Sequence, residues 1–467
     1  MTQSRTSRRS ARPVLAAAAA ALALALAGCA SVPTAPPPPT MAQQADAFVQ
    51  GKRPELQPFF RALYMEGERN AVLNAMHLGL AAMSLGDDRT AAVSLDMAID
   101  RIEAIYAGDP NAERAKSLWN EEKVKDFKGE PYERAMAYYY RGLLYAKAGD
   151  YQNARASFLA ADRHTSLAAK EKYDPSFAKM NWMAAWASWC DNDRVRAQDL
   201  SSRAVSQDAS LDRLSVEKPF LVLVDSGLGP VKGQAGQYKE MLTLSANPNG
   251  ADVIAEVRAS SPGLKLTPRA VPAGDVAYQA TTRGGRPVQA ILDGKAQFKS
   301  GANAVGDVSL VVGQVAMQQA LINNDRSMAQ LGAFGSLLGM AAKAAAQATT
   351  PAADTRGWTS LPDKLWIAQA DALPAPDVAI QVDAASGENK FTVSPHIVAT
   401  SGRCGFAWTR TRSPLTPAHN GVARLSGTDV NETGREQKNA AFRQLLMTTF
   451  PPAAPATTPA VPARSGV

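Results

Sequence analysis

The stretch YYYRGLLYAKAGDYQNARASFLAA, residues 138–161, alternates large and small residues at spacings that suit two helices packed against each other. Gly142 and Ala154 are small enough to let the two helices approach closely, and Tyr145 and Phe158 would fill the space beside them. Gly149 is the turn glycine of this unit, and Tyr138 and Ala161 are its outer packing positions. The stretch therefore predicts a helix–turn–helix unit whose first helix is closed by a left-handed glycine.

The same spacing recurs 63 residues earlier, within residues 70–100, and more weakly at residues 176–206, where Asn192 takes the position of the turn glycine. The matching positions of the earlier unit are Leu78, Gly79, Gly86, Ala91, Leu95 and Ala98. These offsets resemble those of tetratricopeptide (TPR) repeats, whose unbroken period is about 34 residues. The longer separation predicts one inserted helix pair. One unit cannot bury its own apolar face, so we expect a stacked TPR-like solenoid.

The pattern changes to short apolar runs after Pro219. The run FLVLV at residues 220–224 predicts a strand that is buried on both faces. Alternating or apolar runs predict further strands at residues 252–257, 276–280, 364–370, 378–382 and 406–408. Residues 314–347 have the composition of a helix or helix pair. The predicted fold class is therefore α+β: an N-terminal TPR-like solenoid followed by a strand-rich domain containing an inserted helix.

The first residues have the composition of an export signal. Arg5, Arg8, Arg9 and Arg12 supply four of the seven net positive charges of the 467-residue chain, so the basic balance does not indicate nucleic-acid binding. An apolar run follows and ends at Cys29. The sequence LAGC at residues 26–29 resembles the lipobox of bacterial lipoproteins. That resemblance implies a lipid (palmitate) anchor on Cys29, and the absence of Asp after the cysteine implies the outer membrane. An ordinary secretory peptide is the alternative.

These features divide the chain into five parts. We expect a lipoprotein signal peptide at residues 1–28, a lipidated and proline-rich tether at 29–52 and a TPR-like helical repeat domain at 53–217. A strand-rich α+β domain follows at 218–412. Residues 413–467 are expected to be a mostly disordered tail with one last helix at 436–447.

The sequence carries no recognisable catalytic constellation. None of the four histidines has a metal-ligand partner at suitable spacing, and no nucleophile elbow, phosphate loop or dinucleotide fingerprint occurs. We therefore expect no catalytic residues, no metal and no cofactor. The tryptophans at 182, 186 and 189 lie on one helical face, either as core or as an exposed aromatic groove. Cys190 and Cys404 either form a disulfide or remain separate thiols.

Three segments together resemble a family of poorly characterised bacterial lipoproteins with tetratricopeptide-like repeats. They read KGEPYERAMAYYYRGLLYAKAGDYQNAR at 128–155, FLVLVDSGLGP at 220–230 and DTRGWTSLPDKLWIAQA at 354–370. The resemblance spans roughly residues 68–370. Genes of that family often accompany those of small lipoproteins that resemble activators of cell-wall synthases. The resemblance implies a role in envelope biogenesis but transfers no site residues.

The expected function is non-enzymatic. We expect a lipid-anchored periplasmic scaffold at the outer membrane that binds envelope proteins through its repeats, in cell-envelope biogenesis or export. Its partners would be other lipoproteins or a cell-wall or export assembly, and not nucleic acid. The alternative is a polysaccharide- or lipid-binding protein that uses Trp358, Trp366 and Trp408 of the strand-rich domain.

Overall fold

The computed structural model describes residues 39–106, 126–166, 177–235, 241–259, 264, 266, 269–282, 354–376, 378–416 and 435–451. The chain forms two compact units, Met1–Gln44 and Ala45–Val467, and the elements from Pro54 onward all belong to the second. Cys29, most of the predicted insert and the predicted helix at residues 314–347 lie outside the described residues. The fold is mixed α+β, with helices in the N-terminal part and sheets in the C-terminal part, as predicted.

The N-terminal part is built from helices, and two further helices lie in the C-terminal part. The α-helices among the described residues are α1 (Met41–Val49), α2 (Gln57–Glu66), α3 (Ala71–Ser84), α4 (Asp88–Tyr106), α5 (Pro131–Lys147), α6 (Tyr151–Ser166), α7 (Ala178–Cys190), α8 (Arg194–Gln207), α9 (Val276–Thr282) and α10 (Arg435–Thr449). The two in the C-terminal part are α9 and α10. Short 3₁₀ turns lie at Pro54–Leu56, Glu68–Asn70 and Ala209–Arg213.

Six of these helices form three hairpins. Hairpin 1 is α3–α4, hairpin 2 is α5–α6 and hairpin 3 is α7–α8, and in each a three-residue turn joins the two helices. The two helices of each hairpin pack along each other. Successive hairpins also touch, because α4 contacts α5 and α6 contacts α7. The apolar faces of these one-sided helices are thus buried against neighbouring hairpins.

The described residues of the C-terminal part form three sheets. Its strands are β1 (Phe220–Ser226), β2 (Val231–Ala235), β3 (Met241–Ser245), β4 (Val253–Ala259), β5 (Val271–Asp275), β6 (Lys364–Ala370), β7 (Ile380–Ser386), β8 (Asn389–Val393), β9 (Ile397–Ser401) and β10 (Cys404–Arg410). A five-stranded sheet has the order β5-β6-β1-β10-β9, a three-stranded sheet the order β4-β7-β8, and β2 pairs with β3. β1 and β10 are parallel, and the other pairs are antiparallel.

Strand β1 occupies the centre of the five-stranded sheet and every one of its residues is buried, as the continuous apolar run predicted. Its two faces meet different layers. Phe220, Val222 and Val224 join a core cluster with residues of the three-stranded sheet, among them Ile254 and Val382. The opposite face points to the helical hairpins, which Asp225 contacts through a tyrosine described below. The five-stranded sheet therefore lies between the helices and the smaller sheet.

One strand prediction was wrong. Residues 276–280 belong to helix α9, not to a strand. Asp275 caps this helix, since its Oδ1 accepts the backbone N–H of Tyr278 at 2.7 Å. Val276, Ala277 and Ala280 are buried while Tyr278 is 46% exposed, which is helical spacing. An apolar residue at every second position over five residues fits both periods, and the capping aspartate decides for the helix.

The remaining predicted strands correspond to β4, β6, β7 and β10, and the expected last helix corresponds to α10. Helix α10 packs back onto the start of the second unit. The rings of Phe450 and Phe60 are 5.1 Å apart, and Asn439 accepts the backbone N–H of Glu68 at 3.1 Å. The last helix expected within the C-terminal tail is therefore present and packed against α2 and the turn before α3.

Candidate functional site

The structure gathers the predicted packing residues of hairpins 1 and 2 at the contacts between paired helices. A Cβ added to Gly79 would lie 2.8 Å from Leu95, and one added to Gly142 would lie 2.6 Å from Phe158. Tyr145 differs, because it is half-buried and lies under the guanidinium of Arg141, 3.6 Å from the ring centre. The other buried positions are Leu78, Ala91, Ala98, Tyr138, Ala154 and Ala161.

The three hairpin turns share one geometry. Gly86, Gly149 and Asn192 have positive φ angles of 72°, 79° and 64°. An aspartate follows each of them, and its Oδ1 accepts the backbone N–H three residues further on at 3.0–3.1 Å. The aspartates are Asp87, Asp150 and Asp193. A left-handed residue that closes one helix and an acidic cap that opens the next make each turn tight.

The first helices of the three hairpins are buried almost completely. All 14 residues of α3 are buried, and most of α5 and α7 are as well. Their partner helices cover one side and the C-terminal part covers the other. The inner face of the hairpins, which their first helices form, is therefore occupied by the chain itself.

Residues 354–361, DTRGWTSL, cover the part of this inner face that α3 and α5 form. The backbone N–H of Trp358 donates to Glu133 Oε1 on α5 at 2.7 Å, and Arg356 donates to Asn70 Oδ1 at 2.6 Å. Ser360 Oγ lies 3.3 Å from His77 Nδ1 on α3. The contacts reach two successive hairpins, so the segment fixes the strand-rich part to the helical part at several points.

Glu133 is the central charge of this junction. Its side chain is 0% exposed and lies 2.8 Å from Lys232 Nζ, whose side chain is 5% exposed. The backbone N–H of Glu130 also donates to Glu133, which closes a capping box at the start of α5. Lys232 in turn donates to the carbonyl of Arg356 at 2.8 Å. A buried ion pair with this many hydrogen bonds fixes geometry more than it adds stability.

A second buried network lies between β1, β10 and the hairpins. Tyr140 and Trp408 both donate to Asp225 Oδ2, at 2.8 Å and 3.2 Å, and Arg410 Nη1 lies 3.5 Å from the same oxygen. Burial raises the pKa of Asp225, although Arg410 and Lys179 oppose this shift. Burial lowers the pKa of Lys179 to about 7. These groups are enclosed within the layers, so we interpret the network as structural.

His77 is buried against the covering segment, and burial lowers its pKa to about 4. It is therefore neutral at physiological pH. Among the described residues, no three His, Cys, Asp or Glu side chains come together as a metal-binding group. Cys29, the predicted lipidation site, lies outside the described residues.

The tryptophans are mostly core residues. Trp182 and Trp186 are 0% exposed, which agrees with the core interpretation of the stripe on α7. Trp189 is half-buried beneath Arg403, 3.9 Å from its ring centre. Trp358 and Trp408 are also buried, and Trp366 donates to Ser226 Oγ at 2.7 Å. The last three tryptophans therefore do not form an exposed aromatic surface.

A disulfide joins Cys190 at the end of α7 to Cys404 at the start of β10, with Cα atoms 5.7 Å apart. Nearby contacts connect the turns of hairpins 2 and 3 to the paired strands β9 and β10. Tyr151, which follows the turn of hairpin 2, donates to the carbonyl of Ser401 at 2.9 Å. Arg403 donates to Asn192 Oδ1 at 3.0 Å in the turn of hairpin 3. Strands β9 and β10 thus lie against the turn ends of two hairpins.

The outer side of α6 and α8 remains exposed and carries several arginines. At 100° per residue, Arg196 and Arg203 lie on one side of α8, and Arg194 lies on the opposite side. Arg203 reaches Asp162 of α6 at 3.8 Å, so the two helices present adjoining surfaces. We define the arginine face as Arg155, Arg163, Arg196 and Arg203.

The arginines of this face form ion pairs with nearby acids. Arg163 of α6 lies 3.1 Å from Glu103 of α4, and Arg196 lies 3.2 Å from Asp193 at the start of α8. Arg155 lies 3.8 Å from Asp191, and its side chain is only 18% exposed. The pairs therefore connect the second helices of all three hairpins along the outer side of the stack.

The two partners of each outer pair are not equally accessible. The side chains of Arg163, Arg196 and Arg203 are 52–60% exposed, whereas those of their acidic partners are 45%, 31% and 7% exposed. In these three pairs the guanidinium group is thus the more accessible charge, whereas Arg155, at 18% exposed, is less accessible than Asp191 at 29%. The guanidinium groups of Arg163, Arg196 and Arg203 are therefore more accessible to an approaching acidic protein surface than their own acidic partners are.

Searches of protein families, of curated proteins and of solved structures found no match to the chain. Within the described part of the chain, none of the helices combines the length and the apolar character that crossing a membrane requires.

Sequence reasoning missed the buried ion pairs and the covering segment. Glu133 and Asp225 stand in stretches that look like an ordinary helix start and an ordinary strand end. Residues 354–361 have no periodicity and so gave no signal of packing. One available signal was the Glu130-Pro131 helix start with an acid three residues later, which predicts the capping box but not its lysine partner.

Proposed function

We propose that the protein is a lipid-anchored periplasmic scaffold of the outer membrane that binds envelope proteins through TPR-like repeats. Its role would be in cell-envelope biogenesis or export, without catalysis. Cys29 would carry the lipid, and the segment after it would tether the folded units. The stacked hairpins with their repeated left-handed turns and aspartate caps support the comparison with TPR repeats.

The observation that carries the docking site is the contrast between the two sides of the hairpins. The inner helices are buried by their partner helices and by the C-terminal part, including residues 354–361 over α3 and α5, whereas the arginine face is open. We therefore place the docking surface on the arginine face, and the partner would offer an acidic patch. Arginine is enriched at protein interfaces because its planar group binds carboxylates in pairs of hydrogen bonds.

The experiment is crosslinking in cells followed by capture of the full-length protein. The test variant carries Arg163→Glu and Arg196→Glu. A matched control carries Arg194→Glu, on the opposite side of α8, and Lys390→Glu, on β8. We expect the test variant to lose at least about fivefold of the captured partner relative to the control, because like charges would then face each other. Equal capture by both variants, or no protein above background, would contradict the proposal.

The two substituted arginines are chosen so that the fold is preserved. Arg163 and Arg196 form exposed ion pairs, which contribute about 1 kcal/mol or less each. Arg203 is left in place because the side chain of its partner Asp162 is only 7% exposed. Thermal unfolding of both purified variants checks this choice, and we expect their Tm values to agree closely.

A second arm tests the anchor. In Cys29→Ala the acyl chains cannot attach, and about 0.8 kcal/mol of membrane affinity per buried methylene is lost. We expect the protein to leave the membrane fraction while the purified protein still binds its partner. If Cys29→Ala stays in the membrane fraction as the wild type does, the anchor is elsewhere.

The glycan- or lipid-binding alternative has less support. It depended on three tryptophans, of which Trp358 and Trp408 are buried. The scaffold remains the better proposal because its surface is accessible.

A further inference from the structure

A cleft of about 290 Å³ opens at the junction of three segments: residues 51–56 with the start of α2, the first turn of α4, and the end of α10. Its volume is at the lower end of the range for small-molecule sites. Three cationic side chains line it: Lys52, Arg53 and Arg89. We define these residues and their walls as the basic cleft.

The cations of the basic cleft are held in place by different means. Lys52 donates to the carbonyl of Phe450 at 3.0 Å and lies 4.2 Å from the ring centre of Phe48. Arg53 donates to the carbonyl of Leu85 at 3.0 Å and pairs with Glu55 at 3.2 Å. Two of the three cations are therefore oriented before any ligand arrives, which reduces the entropy cost of binding.

Arg89 is the free cation of the cleft. It is exposed, and among the described residues no carboxylate pairs with it. Among the described residues that line the cleft, the one carboxylate belongs to Asp87, and its Oδ1 already accepts the backbone N–H of Thr90 at 3.0 Å. Positive charge therefore exceeds negative charge in the lining.

The other part of the lining is apolar. Leu56, Phe60 and Val93 line the cleft beside the cations. Leu56 is 1% exposed and Phe60 3% exposed, so both are firmly packed. An apolar wall beside cationic side chains fits a ligand with an anionic head and a small apolar substituent.

We propose that the basic cleft binds a phosphate ester that carries a small apolar group. Arginine and lysine are the side chains that proteins use for phosphate oxygens, with arginine binding two oxygens at once. The ligand is either the headgroup region of a phospholipid or a soluble phosphate ester. The proposal depends on the cleft alone and is independent of the docking surface on the arginine face.

Isothermal titration of the full-length protein in neutral detergent tests the proposal. The probes are phenyl phosphate, inorganic phosphate, phenol and monomeric dihexanoylphosphatidylglycerol. We expect phenyl phosphate to bind more tightly than inorganic phosphate, and phenol not to bind. Tighter binding of the lipid than of phenyl phosphate supports a headgroup site, and the reverse order supports a soluble ester.

The variant Arg89→Gln is the direct test, and Arg194→Gln is its matched control. Both arginines are exposed and lie in the first turn of the second helix of a hairpin, but only Arg89 lines the cleft. We expect Arg89→Gln to raise the Kd for phenyl phosphate about tenfold and Arg194→Gln to leave it unchanged. No binding by the wild type at millimolar concentrations, or equal Kd values for the two variants, overturns the proposal.

Discussion

The ring of Phe158 lies directly over Gly142, so close that a Cβ on the glycine would come within 2.6 Å of a ring carbon. This contact joins the two helices of hairpin 2 near their middle. The hairpin therefore requires both the absence of a side chain at Gly142 and the presence of the Phe158 ring.

Replacing Gly142 by alanine should destabilise the protein by about 1–2 kcal/mol. Overpacking costs about 1–3 kcal/mol, and the better helix propensity of alanine returns up to about 1 kcal/mol. Urea unfolding followed by circular dichroism measures the change. The double variant Gly142→Ala with Phe158→Leu should recover part of the loss, since the smaller side chain makes room. A single variant as stable as wild type would show that the two helices separate easily.

Replacing Glu133 by glutamine should lower the free energy of unfolding by about 3–5 kcal/mol. The change leaves Lys232 buried without a counter-charge. Asp88→Asn is the control, because Asp88 and Lys147 form a more exposed pair, 45% and 27% exposed, that contributes about 1 kcal/mol or less. Both are measured by urea unfolding at pH 7. The double variant Glu133→Gln with Lys232→Met should recover stability, and similar losses in Glu133→Gln and Asp88→Asn would argue against a buried pair.

Removing the disulfide with Cys190→Ala and Cys404→Ala should lower stability by up to about 5 kcal/mol, because the bond closes a loop across 214 residues of the unfolded chain. Thermal unfolding with and without a reducing agent measures the effect. The reductant should lower the Tm of the wild type and leave that of the double variant unchanged. If the Tm of the wild type does not change although the reductant has freed its thiols, the disulfide contributes nothing to stability.

Stability should fall by about 3 kcal/mol between pH 6.5 and pH 4 through His77 alone. Burial lowers the pKa of folded His77 to about 4 from 6.5, so in this window the unfolded chain takes up the proton and the folded chain does not. The contribution is complete above pH 6.5, and below pH 4 it is lost. His77→Gln cannot titrate, so the difference between the two unfolding curves isolates this group. Parallel curves for both proteins would contradict a buried neutral histidine.

The three turns show what the sequence could predict. Gly86 and Gly149 followed by aspartate predicted left-handed closures, and Asn192 at the same offset takes the same conformation. Such signals are local, because they depend on a few neighbouring residues. The buried strand at residues 220–224 could be predicted for a similar reason, since a continuous apolar run excludes an exposed face.

The covering of the repeats could not be predicted, because it joins residues far apart in the chain. Trp358 meets Glu133 and Ser360 meets His77, and nothing in residues 354–361 alone indicates these partners. The strand prediction at residues 276–280 failed for a different reason. Five residues are too few to separate a period of two from a period of 3.6 when a cap such as Asp275 is present.

The central strand β1 has both of its sheet neighbours far downstream: β6, which begins at Lys364, and β10, which ends at Arg410. Each hairpin pairs two helices that are neighbours in the sequence and can form early, whereas the sheet cannot close until nearly the whole chain has been released from the ribosome or the membrane channel. Until then, helices α3, α5 and α7 expose one apolar face to solvent. During that interval the newly synthesised chain depends on a chaperone or on rapid folding to avoid aggregation.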